Sequence, residues 1–191
     1  MEIRVVFTLL KKATALLFLF CCPLLMAQKK QFPIGVEAWG GYSYLRFEAT
    51  QLGFRDDTNL NGWNGGLSLP DLYRGFGVAA DISGHYASEM EEYNFLIGPQ
   101  YSFQLKGLRL YGHGLFGKAR DRLRQPGTTN FEPSDLHKAF AFGGGVDIPV
   151  TSRFSFRALQ ADYVITNAFN TTQHNLRFST GLIVRFGKRS E

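Results

Sequence analysis

The chain has 191 residues, of which 21 are basic and 16 acidic, and its formal net charge is +5. The basic residues are scattered without a dense patch, which argues against nucleic acid as a partner. Both cysteines, Cys21 and Cys22, lie near the start. The rest of the chain must therefore close its fold by hydrogen bonding and packing, without disulfides.

Residues 1–27 have the pattern of a cleaved secretory signal peptide. Basic residues come first, an apolar run covers 13–20, and the small residue Ala27 stands at the cleavage position. A retained membrane anchor is the alternative, although this run is shorter than the ~20 residues that a spanning helix needs. We expect one mature domain over 28–191, with a net charge of +3 because three basic residues and one acidic residue leave with the signal.

Alternation of apolar and polar residues, with a period of two, predicts strands. The first four predicted strands cover about 34–47, 62–69, 76–86 and 93–105. The polar stretches 48–61 and 87–92 predict long connections, whereas 70–74 predicts a short turn. Pro99 removes a hydrogen-bond donor from the fourth strand, so we expect a bulge there.

The last four predicted strands cover about 108–119, 137–148, 154–166 and 175–186. Lys106 and Gly107 predict a tight hairpin turn before the fifth strand. Polar residues at 120–136 and 167–174 predict loops, and 149–153 a short turn. In the seventh strand the apolar residues change from even to odd positions, which predicts a one-residue bulge near Arg157–Leu159 that puts Arg157 and Asp162 on the same side.

Long polar connections after the odd-numbered strands alternate with short ones after the even-numbered strands. This alternation predicts an all-β fold, an eight-stranded antiparallel up-and-down transmembrane β-barrel of the bacterial outer membrane. A soluble lipocalin-like binding barrel is the alternative, with the apolar face inside. The many phenylalanine and tyrosine side chains of that face would overfill so narrow a lumen, so we expect them to face lipid.

Four segments carry a resemblance to a known family: residues 40–44 in the first strand, 143–147 in the sixth, 157–163 in the seventh and 178–186 in the last. Together they resemble the OmpA-like outer-membrane β-barrel domain family over about residues 32–187. The resemblance implies a barrel fold and does not imply an activity. Five residues follow Phe186, whereas the family usually ends on this aromatic residue.

Ionisable residues recur on the predicted inward face, where a narrow lumen requires charges to be paired. We expect them to form a salt-bridge and hydrogen-bond network that plugs the barrel, giving a protein with a structural or interaction role. A narrow gated pore, in which pairs such as Asp162–Arg177 rearrange, is the alternative. The predicted network comprises Glu37, Asp81, His85, Arg109, His113, Asp147, Arg157, Asp162, Arg177 and Arg185.

A hydrolase or acyltransferase acting on lipid A is a further alternative, because Ser83 and His85 share a face and Glu89 follows them. A nucleophile needs its base within hydrogen-bond reach, and residues two apart on a strand are about 6–7 Å apart. Both side chains are also expected to face inward, away from lipid. We therefore predict no enzymatic activity, no catalytic residues and no cofactor, and the four histidines lack the spacing of metal ligands.

Outward aromatic residues are predicted to form a girdle that anchors the barrel at the membrane interfaces. These residues are Tyr42, Tyr44, Trp63, Tyr86, Tyr101 and Tyr163. The aromatic core of a soluble sandwich is the alternative interpretation of these residues. Phe178 and Phe186 on the last strand resemble the signal that the barrel-assembly machinery reads during insertion. We expect outer-membrane lipids and lipopolysaccharide as partners, no nucleic acid, and an extracellular ligand, if there is one, at the loops 48–61 and 120–136.

Overall fold

The computed structural model describes residues 35–47, 58–88, 90–124, 131–133, 136–168 and 171–186. The predicted signal peptide at 1–27 and most of the predicted loop at 48–61 lie outside these residues. In the described residues, eight long strands and one short strand form a single antiparallel sheet. The strands are β1 Val36–Phe47, β2 Thr58–Tyr73, β3 Phe76–Tyr86, β4 Met90–Leu105, β5 Leu108–Arg124, β6 Phe131–Pro133, β7 His137–Pro149, β8 Phe154–Ala168 and β9 Thr171–Phe186.

The sheet closes on itself. Each long strand pairs with its neighbour in sequence, β1 pairs with β9, and β4 pairs with β5, so that no long strand is left at an edge. The short β6 pairs only with the last three residues of β5. The predicted eight-stranded up-and-down barrel is therefore confirmed. Closure lets every long strand pair with a neighbour on both sides, so that the backbone groups are satisfied within the sheet as a bilayer requires.

The two ends of the barrel differ. At one end, which we call the turn end, two-residue turns at Arg74–Gly75 and Lys106–Gly107 join β2 to β3 and β4 to β5, and Val36 pairs with Phe186. All four turn residues have positive φ, between 49° and 87°, the conformation that matches the twist of a hairpin. We call the opposite end, where β5 ends at Arg124, the loop end.

The predicted bulge in β8 is present. Asp147 pairs with Arg157 whereas Val146 pairs with Leu159, so one extra residue is inserted in β8 at Ala158. The bulge brings the apolar residues on both sides of it to the outer face, and the side chains of Arg157 and Asp162 are both buried in the lumen. A single inserted residue reverses the facing of every later side chain, which is why the sequence pattern changes there.

The prediction of a bulge at Pro99 is wrong. Ile97 pairs with Phe116 and Gln100 pairs with His113, so the register between β4 and β5 is the same before and after Pro99. Pro99 also pairs in register with Val78 on β3. The missing donor of the proline therefore interrupts the hydrogen bonds on one side of β4 without inserting a residue.

Several strands are longer than predicted, and two connections predicted to be long are short. Only three residues separate the end of β3 at Tyr86 from the start of β4 at Met90, and Ala168 on β8 pairs with Thr171 on β9. β2 likewise extends beyond both predicted ends. Polar residues beyond the lipid-facing part of a membrane strand still pair, because the ladder depends on the backbone and not on side-chain polarity.

The outer and inner faces have opposite polarity. Outward side chains include Leu67, Phe76, Phe95, Phe116 and Leu182, each between 56 and 62% exposed. Buried inward side chains include arginines, aspartates and small residues. This arrangement is the reverse of a soluble lipocalin-like barrel and fits a barrel surrounded by lipid. The described residues contain no helix long and apolar enough to cross a membrane.

Candidate functional site: the polar lumen

The lumen near the turn end is organised around the carboxylate of Glu37, which is buried. Glu37 on β1 pairs in register with Arg185 on β9, and Arg185 Nε donates a hydrogen bond of 2.6 Å to Glu37 Oε1. Arg109 reaches across from β5 and donates to both carboxylate oxygens at 2.6 Å. One carboxylate thus joins two arginines that come from opposite walls of the barrel.

Asp147 on β7 continues this network. It accepts a hydrogen bond of 2.7 Å from Arg109 Nη2 and one of 2.9 Å from Arg157 Nε. Because β7 lies between β5 and β8, Asp147 is the direct register partner of both arginines. The guanidinium of Arg157 is also enclosed by aromatic rings, 4.6 Å from the ring centroid of Trp39 and 4.5 Å from that of Tyr111.

Arg177 is the central residue of a second group of hydrogen bonds, in the middle of the lumen, and it is fully buried. Its guanidinium donates five hydrogen bonds, two to Asp81, two to Asp162 and one to Ser83, at 2.7 to 3.1 Å. Five is also the number of N–H groups that an arginine carries, so its donors are fully used. Asp162 further lies 2.8 Å from Nε2 of His113.

Gln160 joins the two parts of the network. Its side-chain oxygen accepts hydrogen bonds from Arg157 and Tyr111, and its nitrogen donates to Asp162 at 2.7 Å. A continuous chain of hydrogen bonds therefore runs from Glu37 to Asp81 through the lumen. We call these residues the lumen network: Glu37, Asp81, Arg109, Tyr111, His113, Asp147, Arg157, Gln160, Asp162, Arg177 and Arg185.

Charges in the lumen network balance. Four arginines face four carboxylates, and each of these side chains is within hydrogen-bond distance of an opposite charge. Pairing offsets the large cost of removing a charge from water, and losing one partner of a buried pair costs about 3–5 kcal/mol. The arrangement is therefore a set of mutually compensating ion pairs across the lumen.

Nine of the ten ionisable residues predicted to face the lumen belong to this network. The tenth, His85, is buried but apart from it, with Nε2 2.8 Å from the hydroxyl of Ser43. Ser83 receives a hydrogen bond from Arg177. The two side chains considered for a nucleophile and base are thus each engaged with other partners and are shielded inside the barrel.

Glu92 and Asp121 were not predicted to line the lumen, because they fell in stretches interpreted as loops. They are register partners on β4 and β5, and both are fully buried near the loop end. Asn94 donates a 2.7 Å hydrogen bond to Glu92, and Asp121 lies 3.4 Å from Nε2 of His137. The signal that could have found Glu92 is the alternation of β4, which extends back from Asn94 without a break.

An apolar group lies at the loop end of the lumen. Leu45, Phe47, Leu60 and Met90 are buried there and pack together. Within the described part of the chain, no group of three or more histidine, cysteine, aspartate or glutamate side chains could hold a metal ion.

The residues predicted as an aromatic girdle face outward, but at different heights. Trp63 donates a hydrogen bond of 3.1 Å to the hydroxyl of Tyr86, and Tyr163 stacks on His174, both nearer the loop end. Tyr101 lies nearer the turn end, with its ring centroid 4.8 Å from that of Phe76. Tyr42 is exposed and Tyr44 half-buried, and Phe178 and Phe186 on β9 also point outward.

Solved structures with a similar backbone are eight-stranded outer-membrane barrels. Neisserial surface protein A matches with a TM-score of 0.63 and 15% identity, over 80% of this chain and 97% of that one. The attachment invasion locus protein Ail of Yersinia pestis matches with a TM-score of 0.52 and 17% identity, over 79% and 99%. The structure of Ail in complex with the heparin analogue sucrose octasulfate matches with a TM-score of 0.53 and 16% identity, over 79% of this chain and 99% of that one.

No protein-family model matches the sequence, and no curated protein matches it either. Because the sequence identities to these solved structures are only 15 to 17%, the similarity is one of fold. At that level the predicted resemblance to the OmpA-like outer-membrane barrels is confirmed.

Proposed function

We propose that this protein is a small barrel of the bacterial outer membrane with a structural or interaction role, whose lumen is closed to solutes by its own side chains. Residues 28–191 form the inserted domain after removal of the signal at 1–27. The turn end faces the periplasm and the loop end faces outward, as short periplasmic turns and longer outer loops imply. The observation that carries the proposal is the continuous lumen network, enclosed by an apolar outer face.

The outer face supports the membrane location. Large apolar side chains with exposures of about 40 to 60% recur on all eight long strands, among them Tyr42, Leu67, Val78, Ile97, Phe116, Phe142, Leu159 and Leu182. An apolar surface of this extent is not left in water by a soluble monomer, whereas lipid covers it at no cost. The partners that follow are outer-membrane lipids, lipopolysaccharide, and the barrel-assembly machinery that would read β9 with Phe178 and Phe186.

The lumen network supports the plug. Arg109, Arg157 and Arg177 project from three different strands towards carboxylates on other strands, at 2.6 to 2.9 Å. Because Arg177 uses all its donors within the protein, a passing ion would have to break several charge-assisted hydrogen bonds at once. An extracellular ligand, if the protein has one, would meet the loop end and not the lumen, and the proposal includes no enzymatic step.

Two measurements test this function. The full chain expressed in a Gram-negative host should be found in the outer-membrane fraction and should migrate differently on detergent gels before and after heating. In planar bilayers the inserted protein should show no stable ion conductance. Recovery as a soluble periplasmic protein would contradict the membrane location, and steady conductance by the unmodified protein would contradict the plug.

A narrow gated pore is the second candidate, and polar atoms nearer the loop end favour it. The side-chain atoms Glu92 Oε2, Asn94 Oδ1 and His85 Nδ1 are buried without a hydrogen-bond partner in the protein. Buried polar atoms of this kind are usually hydrogen-bonded to water. The half of the lumen at the loop end would then be a water-filled entrance, and the residues around Arg177 would close the pore below it. In that case Arg177→Ala should give conducting channels, while Arg153→Ala, in an exposed turn, should not.

A further inference from the structure

A pair of lysines stands on the outer wall between two strands. Lys118 on β5 and Lys138 on β7 are register partners, and both side chains are exposed. Like charges placed directly opposite each other destabilise an antiparallel pair of strands. An anion placed between the two ammonium groups would offset this repulsion.

The lysines are placed at the upper edge of the apolar wall. Two residues nearer the turn end, Phe116 and Phe140 form the next outward register pair, and they are 56 and 42% exposed. The rise of a strand puts the lysines only about 6–7 Å above these rings. Phe95, the partner of Lys118 on β4, adds a third exposed ring beside them.

The positive charge continues towards the loop end. Arg120 is the next outward residue of β5 and is exposed, and its partner on β4 is Tyr93. On four other strands the outward residues of the described chain at a similar height carry no permanent charge. These residues are Asn61 on β2, Tyr86 on β3, Asn167 on β8 and His174 on β9. Arg46 on β1 is a further exposed outward cation near the loop end, on the opposite side of the barrel. Lys118, Lys138 and Arg120 are therefore a local group of three cations on two neighbouring strands.

We propose that Lys118 and Lys138, extended by Arg120, bind the phosphate groups of a lipid in the leaflet at the loop end. The lipid is a phosphorylated glycolipid of the lipid A type. Its phosphates lie between the two ammonium groups, and its acyl chains run down over Phe95, Phe116 and Phe140. This inference rests on the proposed function, because only insertion in that orientation brings the loop end into the outer leaflet.

A bound lipid fits the position better than a soluble anion. A soluble anion would gain only the charges, whereas a lipid gains the charges and the apolar wall immediately below them. Juxtamembrane cations attract anionic headgroups and lose this attraction beyond a short distance from the surface. The height of the lysines, one outward residue above the phenylalanines, matches that requirement.

Native mass spectrometry of the full chain in detergent tests the site. The probes are bis-phosphorylated lipid A and the same lipid stripped of its phosphates. The double variant Lys118→Gln and Lys138→Gln should weaken binding of the phosphorylated lipid roughly fivefold for each lysine removed. The matched control, Lys106→Gln with Arg153→Gln, removes two exposed cations from the turn end and should bind it as the unmodified protein does.

Several outcomes would overturn the site. Equal binding of the two lipids by the unmodified protein, or no loss of binding in the double variant, would each do so. Displacement of the lipid by pyrophosphate or sucrose octasulfate at similar concentrations would show a soluble-anion site instead. Heat-modifiable migration of every variant keeps this result separate from the proposed function, since a folded, inserted barrel without lipid preference would overturn the site alone.

Discussion

Asp162 and Arg177 face each other on β8 and β9, and a single carboxylate oxygen of Asp162 accepts hydrogen bonds from both Nε and Nη2 of Arg177, at 2.9 and 2.7 Å. The other side of the same guanidinium binds Asp81 across the lumen. Arg177 therefore ties a neighbouring strand to a distant one, so its removal affects both the stability of the barrel and the closure of the lumen.

We expect Arg177→Met to lower the free energy of unfolding by about 3–5 kcal/mol, because it leaves Asp81 and Asp162 buried with less compensating charge. Urea unfolding in lipid vesicles, followed by tryptophan fluorescence, measures the change. Arg153→Met, at an exposed turn position, is the matched control and should stay within about 0.5 kcal/mol of the unmodified protein. Equal stability of the two variants would contradict the role of the lumen network.

The enclosure of Arg157 by two rings predicts that lysine cannot replace it. Lysine lacks the planar fork that stacks on Trp39 and Tyr111 while binding Asp147. A double-mutant cycle of Arg157→Lys with Trp39→Leu should give a coupling energy of about 1–2 kcal/mol, as for a desolvated cation–π contact. A coupling energy near zero in the same urea measurements would show that the ring contributes only apolar surface.

Gly143 is predicted to tolerate no side chain. A methyl group there would overlap the backbone oxygen of Ala161 and the carboxylate of Asp162, and overpacking of this kind costs about 1–3 kcal/mol or more. Gly143→Ala should therefore reduce the heat-modifiable, folded fraction on detergent gels. Gly112 is the control, since a methyl group at that position would lie 3.6 Å from its nearest neighbouring atom, and Gly112→Ala should fold normally.

The turn at Lys106 and Gly107 predicts opposite effects for two neighbouring substitutions. Gly107 has φ of 87°, so Gly107→Ala should destabilise the barrel by about 1–2 kcal/mol. Lys106, with φ of 49°, is a position where asparagine is better tolerated, so Lys106→Asn should be stabilising. Urea midpoints that move in the same direction for both variants would contradict this interpretation of the turn.

Much of the fold could be predicted from the sequence because strand patterning is local. The alternation along β3 and β9 assigned each side chain to a face, and the change of parity in β8 located the bulge at Ala158. The bulge predicted at Pro99 was wrong, because a missing donor can be absorbed without a change of register. The strand ends were less well predicted, since polar residues such as Glu92 pair as readily as apolar ones once they face inward.

The sequence by itself determined the number of long strands, the apolar outer face and most of the charges that turn inward, because each depends on a period of two along a single strand. Only the tertiary structure decided which charges meet. Glu37 and Arg109 are 72 residues apart, and Arg177 and Asp81 are 96 apart. Their contacts depend on closure of the barrel and on the register of every strand between them, and no local pattern contains that information.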